Sequence, residues 1–242
     1  MNQILNTNDI KQLGTILSVW AHPDDESFLA AGILRTAVNN GQKVACVTAT
    51  RGEAGSQDKQ KWPPADLAQI RTDELASALK LLGIKTHFWL NYPDGGCSTA
   101  PSSQAVEQLI TIIRDIKPDS ILTFGPDGIT GHDDHKTVSE WVTSAVDQIK
   151  MPITVYHAVY TPEQYEHHLQ QMDKELNIFF NIDKPPLIEP KKCDIYFELP
   201  ADVCRCKNDA LAVQPSQTEI MIKLFGRKFL EDSLSTEAFR LA

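Results

Sequence analysis

No stretch of this 242-residue sequence approaches the roughly 20 consecutive apolar residues that a membrane-spanning helix needs. The opening residues MNQILNTNDIKQLG lack both a basic start and an apolar run, so no secretory signal is expected and the reading is cytoplasmic. Basic charge is in deficit: 23 Lys and Arg face 32 Asp and Glu, for a net charge of −9. That balance argues against a nucleic-acid partner, which would need a basic face. Cysteine is sparse and odd in number, at 46, 97, 193, 204 and 206, which is no disulfide framework and suits a reducing compartment. Cys204 and Cys206 stand one residue apart, short of zinc-ribbon spacing, and no second pair exists. No G-x-G-x-x-G follows the first β-rich run, so the phosphate-cradling turn of a dinucleotide-binding domain is missing. Repeats, low-complexity tracts and a convincing linker are missing too, and one domain over 1–242 is the economical reading.

What is present is a regular alternation. TILSVWA, KVACVTAT, THFWL and SILTF are short β-rich runs. Between them lie helical patterns at 26–39, at 66–82 (with Asp66 as cap and Gly83 as stop), and from Ser102 or Ser103 to Ile116, and another follows at 135–149. Strands separated by helices of this length imply right-handed βαβ units. The expected fold is therefore α/β and Rossmann-like, a mainly parallel sheet flanked by helices. The last third is less regular. PITVYHAVY and CDIYFEL read as strands, the prolines of DKPPLIEP mark a loop, and two helices are expected to close the chain.

In an open parallel sheet, ligands bind outside the carboxyl ends of the strands. The first run ends at His22-Pro23-Asp24-Asp25 and the second at Thr50-Arg51-Gly52-Glu53. The third ends at Asn91-Tyr92-Pro93-Asp94, and the fourth runs through Gly125-Pro126-Asp127 to Gly131-His132-Asp133-Asp134-His135. Taken alone, HPDDE or HDDH reads equally well as a helix cap or a solvated helix start. Their convergence on one sheet edge favours a site. Imidazole with carboxylate suits zinc, and catalytic zinc sites take three protein ligands and keep one position open. The first cluster offers two ligands and the second one or two histidines. Adjacent aspartates in extended backbone point apart, so one can bind metal while the other faces a reacting water. His87, His157, His167 and His168 read as structural or solvated.

Ala21-His22-Pro23-Asp24-Asp25-Glu26, followed by Gly131-His132-Asp133-Asp134-His135, resembles the signature of the PIG-L/LmbE-like family of zinc-dependent N-acetylglucosamine deacetylases. Thr50-Arg51-Gly52-Glu53, Arg71-x-x-Glu74-Leu75, Tyr92-Pro93-Asp94-Gly95-Gly96 and Ser216-Gln217 add to the likeness. It implies hydrolysis of the N-acetyl group of a small sugar conjugate. Carried over by position, His22, Asp25 and His135 are the expected ligands of one zinc ion per chain, with iron(II) also suited to the set. Asp24 is the expected general base, His132 sits beside the metal, and Asp134 holds His132 and favours its imidazolium. Glu53, Arg71 and Asp94 match positions that line the sugar pocket. The proton for the leaving amine is expected from Asp24 or His132. A homo-oligomer stays open.

The chain departs from the pattern at three places. Asp133 replaces a common proline and is expected to face solvent. Thr130 stands where some relatives carry a tyrosine, and Gln214 where many carry a histidine. Two other readings stay open: a family amidase for a bulkier amide, with the loop Glu53–Pro64 and the last third shaping its pocket, and a metal-binding protein without turnover.

Overall fold

In the computed structural model, which describes residues 3–179 and 181–242, β1 (Ile16–Trp20) pairs in parallel with β2 (Val44–Thr48) on one side and β4 (Ser120–Phe124) on the other. β2 continues in parallel to β3 (Thr86–Trp89), and β4 to β5 (Thr154–Val159). Every residue of β1, β2 and β4 is buried, as strands covered on both faces require. The crossovers carry α1 (Asp25–Leu29) with α2 (Ala31–Asn39), α3 (Pro64–Leu82), α4 (Ser102–Ile116), and a helical turn α5 (Gly128–Gly131) leading into α6 (Asp133–Ile149). The chain reverses its direction of travel across the sheet between β3 and β4. That leaves a crevice at the carboxyl ends of β1 and β4, where open α/β sheets bind ligands.

Two helices differ from the sequence reading. The pattern at 26–39 is not one helix, because Ala30 leaves helical geometry at φ −138°. The break frees the first amides of α2, and Glu237 accepts from Gly32 and Ile33, each at 2.8 Å. Asp66 does not cap α3, which starts at Pro64 with no side-chain cap. Proline at the first position gives up only an N–H that had no partner, and Asp66 lies in the first turn where the helix dipole favours it.

The last third completes the same sheet. α7 (Pro162–Gln164), a π-helical turn at Tyr165–Leu169 and α8 (Gln170–Leu176) lead by a loop to β6 (Ile195–Glu198). α9 (Ala201–Ala212) and α10 (Pro215–Ser233) follow, but they do not close the chain. A strand, β7 (Thr236–Leu241), runs antiparallel between β5 and β6, giving the order β3-β2-β1-β4-β5-β7-β6. Its polar residues Thr236, Glu237 and Arg240 hide the strand in the sequence, yet Glu237 is buried and paired with buried Lys207 at 2.7 Å. Beside the main core, this third builds a second apolar cluster around Leu169, Met172, Phe179, Leu211, Met221 and Leu234.

Candidate metal centre

After β1 the backbone bends sharply, and Asp24 takes φ 110°, a costly conformation for a residue with a Cβ. Its N–H donates to Glu26 Oε2 at 3.1 Å. Arg71 clamps the bend from below, donating to the Pro23 carbonyl and lying 3.3 Å from Asp24 Oδ2. The bend turns the neighbouring aspartates apart: Asp24 meets Arg71, while Asp25 meets His22 and His135. The divergence expected of two adjacent carboxylates is thus achieved by one strained residue.

The second motif arrives from β4. His135, in the first turn of α6, stacks its ring on Phe124 with centroids 4.0 Å apart. Its Nδ1 lies 3.0 Å from the Gly128 carbonyl. A carbonyl only accepts, so Nδ1 carries the proton and Nε2 presents a lone pair. His22 is fixed in the opposite sense. Its Nε2 faces Asp94 Oδ1 at 3.0 Å and Asp134 Oδ2 at 3.2 Å, and its Nδ1 turns toward His135 Nε2, 3.2 Å away. Carboxylate and carbonyl partners behind two imidazoles are the outer-shell arrangement that orients metal-binding histidines.

The spacings suit an ion. Besides the 3.2 Å between the two nitrogens, Asp25 Oδ2 lies 3.7 Å from His22 Nδ1 and Asp25 Oδ1 lies 3.5 Å from His135 Nε2. A tetrahedral ion with bonds of about 2.0–2.1 Å spaces its ligand atoms about 3.3–3.4 Å apart, close to the separation of the two nitrogens, while Asp25 turns a different oxygen to each ring. Donor atoms of His22, His132 and His135 also lie within 4.8 Å of one another, as do those of His22, Asp94, His132 and Asp134. In the second grouping, however, two carboxylates already hold the Nε2 of His22. A His/Asp cluster able to hold a metal ion is therefore present at the predicted strand ends.

Charge is distributed unevenly across the cluster. Burial works against a charged His22, but hydrogen bonds to Asp134 and Asp94 and the charge of Asp25 prevail and raise its pKa to about 10. Burial, with His22 and His132 nearby, holds His135 well below the ordinary histidine value. Burial pushes the Asp24 carboxyl up against the opposing pull of Arg71. His132 corrects an expectation. Asp134 does pull its pKa upward, but burial and the His22 charge outweigh that pull and lower it. The link between the two residues runs from the Asp134 backbone N–H to His132 Nδ1 at 3.1 Å, so the neutral ring carries its proton on Nε2. The Asp134 carboxylate accepts from the amides of Gly95 and Cys97, at 2.7 and 3.0 Å, as well as facing His22.

The three residues read as sugar contacts brace the site from behind. Glu53 Oε1 accepts from the Asp94 N–H at 2.9 Å, and Asp94 Oδ2 accepts from Ala54 at 2.9 Å. Arg71, only 4 % exposed, also donates to the Gly52 carbonyl at 2.9 Å. Gly52 sits at φ +67°, and a Cβ there would fall 2.2 Å from the Arg71 guanidinium. Arg71 and Asp94 reach the cavity wall; Glu53 does not line it. Asp133 is exposed beside Lys136, as expected. Gln214 is buried and donates to Ser27 Oγ at 2.9 Å, tying α10 to α1. Glu74 accepts from the N–H of Ser216 at 2.9 Å, a second tie to α10. The direct support of His22 by Asp94 was not legible in the sequence, where strand-end position brings Asp94 to the right edge but says nothing of its partner.

Above the cluster opens a cavity of about 450 Å³. His22, Asp24, Asp25, His132 and His135 lie along one side of it, and Thr130 lines it as well. His87, His157, His167 and His168 do not line it. A family model described as "PIG-L: GlcNAc-PI de-N-acetylase" matches residues 17–146. The chain belongs to the PIG-L family. Among curated relatives, a 1D-myo-inositol 2-acetamido-2-deoxy-alpha-D-glucopyranoside deacetylase of Kineococcus radiotolerans is 28% identical over 172 residues, covering 60% of this chain. The chain spans about half that relative's length, 48% of it. Among solved structures, N,N'-diacetylchitobiose deacetylase from Pyrococcus horikoshii aligns over 96% of this chain and 85% of its own, with 21% identity and a TM-score of 0.67. A 4-carboxy-2-hydroxymuconate hydratase from Pseudomonas putida aligns over 95% and 96%, with 15% identity and a TM-score of 0.62. At such identities the likeness establishes the fold, and a fold hosting both names leaves activity to be argued from the site.

Proposed function

We propose that the chain is a zinc-dependent hydrolase that removes the N-acetyl group from a small N-acetylglucosamine-containing conjugate. His22, Asp25 and His135 hold the ion, and iron(II) suits the same donors. The observation that carries this reading is the convergence of His22 Nδ1, His135 Nε2 and the Asp25 carboxylate, with Asp24 beside them. When bound, the ion supplies Lewis-acid polarisation of the amide carbonyl and brings the pKa of water near 7.

The chain's own residues do the rest. Asp24 accepts the proton of the attacking water, and Arg71 fixes the direction of its carboxylate. Asp24, protonated in that step, is placed to return the proton to the leaving amine. His132 presents Nε2–H to the carbonyl oxygen as negative charge builds there. Glu53, Asp94 and Asp134 act through the loops and through His22. Glu53 and Asp134 position the site, while Arg71 and Asp94, which line the cavity, are also placed to meet the sugar. Acetate release from a panel of N-acetylglucosamine conjugates, measured on metal-depleted protein with and without added zinc, tests the reading. Zinc-restored release supports it, and no release from a zinc-loaded sample overturns it.

Metal uptake has its own signature. In the metal-free protein His22 holds a proton up to about pH 10, and binding at Nδ1 must displace it. The sign is fixed: affinity rises with pH up to that value and falls as protons compete below it. At pH 7, calorimetry in buffers of differing ionisation enthalpy is expected to record at least about one proton released per zinc bound. Release of none would mean that His22 is neutral before binding.

A further inference from the structure

Beside the metal cluster, the cavity is lined by the apolar side chains of Phe28, Leu169, Met172, Leu176, Ile178 and Met221. Most of these side chains belong to the second apolar cluster, the part of the fold contributed by the last third. Met172 and Met221 make that wall adaptable, since methionine fills irregular apolar space. Most polar groups of the cavity lie on the motif loops and at Gln57 and Gln217, with Asn177 and Tyr160 the polar members of the lining nearest these apolar side chains in the chain. A polyol seated against Phe28, Met172, Leu176 and Met221 would surrender hydrogen bonds to water that those four side chains cannot replace.

Resting on the deacetylase reading, we infer that the conjugate carries an apolar aglycone, an alkyl or aryl group on the sugar, which packs against the Phe28–Met172–Leu176–Met221 wall. The assignment to the aglycone follows from the chemistry of that reaction. An acetyl group ends in one methyl beside the carbonyl, so everything that reaches farther into about 450 Å³ belongs to the amine side of the bond. The apolar wall then sets which conjugates bind, and the motif residues set what happens to the amide.

The test is a series of methyl, butyl, hexyl and octyl glycosides of N-acetylglucosamine on zinc-loaded protein. Acetate release is followed, and in parallel the binding of the matching 2-amino glycosides, which cannot turn over, is measured by calorimetry. Each methylene that reaches the wall is expected to improve kcat/KM and affinity roughly threefold, until the wall is filled. Leu176→Gln, at a half-buried position, is expected to cut the octyl-to-methyl ratio by about threefold or more. Flat binding with brisk acetate release would overturn the apolar aglycone and keep the deacetylase. A gain that follows N-acyl chain length on methyl glycosides, instead of aglycone length, would overturn it as well. Chain-length-dependent binding without acetate from any member would sink the deacetylase reading while supporting the apolar site.

Discussion

Asp24→Asn is expected to bind zinc at wild-type stoichiometry and to lose about 10²–10⁴-fold in kcat, the range associated with removing a positioned general base. The substitution keeps the shape of the side chain and removes its capacity to take a proton. The fold should tolerate it. Asparagine is among the few residues found readily at positive φ, and the backbone at this position lies at 110°. The Asp24 N–H to Glu26 bond and the Arg71 bond to the Pro23 carbonyl involve no Asp24 carboxylate oxygen, so the bend itself is retained. Metal content by atomic absorption, beside single-turnover kinetics, separates loss of chemistry from loss of metal. A variant within tenfold of wild type would remove Asp24 as the base. A variant that loses zinc would place Asp24 among the ligands.

The pH profile bears on the same residue. The base acts as carboxylate, so activity rises with pH as Asp24 deprotonates. Burial puts that limb above the ordinary aspartate range, with Arg71 opposing the shift. In the Asn variant that limb should disappear from the residual activity.

Much of the site could be read from the sequence because it rests on one geometric rule. Parallel strands end on the same edge, so the clusters at 22–25 and 132–135 fall on one edge of the sheet, while the choice of His22, Asp25 and His135 among them came from the family resemblance. What stayed hidden depends on partners rather than position. Asp94 reads as a sugar contact, and only the fold shows that its Oδ1 also lies 3.0 Å from His22 Nε2. Arg71 reads as a sugar-pocket residue, and only the fold shows it buried against the strained bend as well as lining the cavity. β7 escaped notice because Glu237 and Arg240 break its apolar pattern, and the burial of Glu237 is made tolerable by Lys207 and two helix amides far away in sequence. The apolar wall combines side chains from α1, α8 and α10, a grouping no local pattern contains.

His135→Ala is expected to lose zinc during dialysis against a chelator that leaves the wild type loaded. Two donors would remain of three, and the Phe124 ring that seats the imidazole would face a void. The loss should exceed the about 10–100-fold in affinity that removal of an outer-shell partner costs. Asp94→Asn supplies that smaller reference, because it weakens the support behind His22 and the Ala54 bond without removing a metal donor. His132→Ala completes the comparison: it should keep zinc and lower kcat, since its ring meets the Asp134 amide through Nδ1 and serves the substrate through Nε2–H. The ranking matters more than any single value. Donor atoms of His22, His132 and His135 are also close enough for a three-histidine site. If His132→Ala loses zinc as readily as His135→Ala, His132 belongs in the coordination sphere and Asp25 is displaced from it. Zinc retained in His132→Ala and lost in His135→Ala would favour Asp25, whose two oxygens face one imidazole each, as the third ligand.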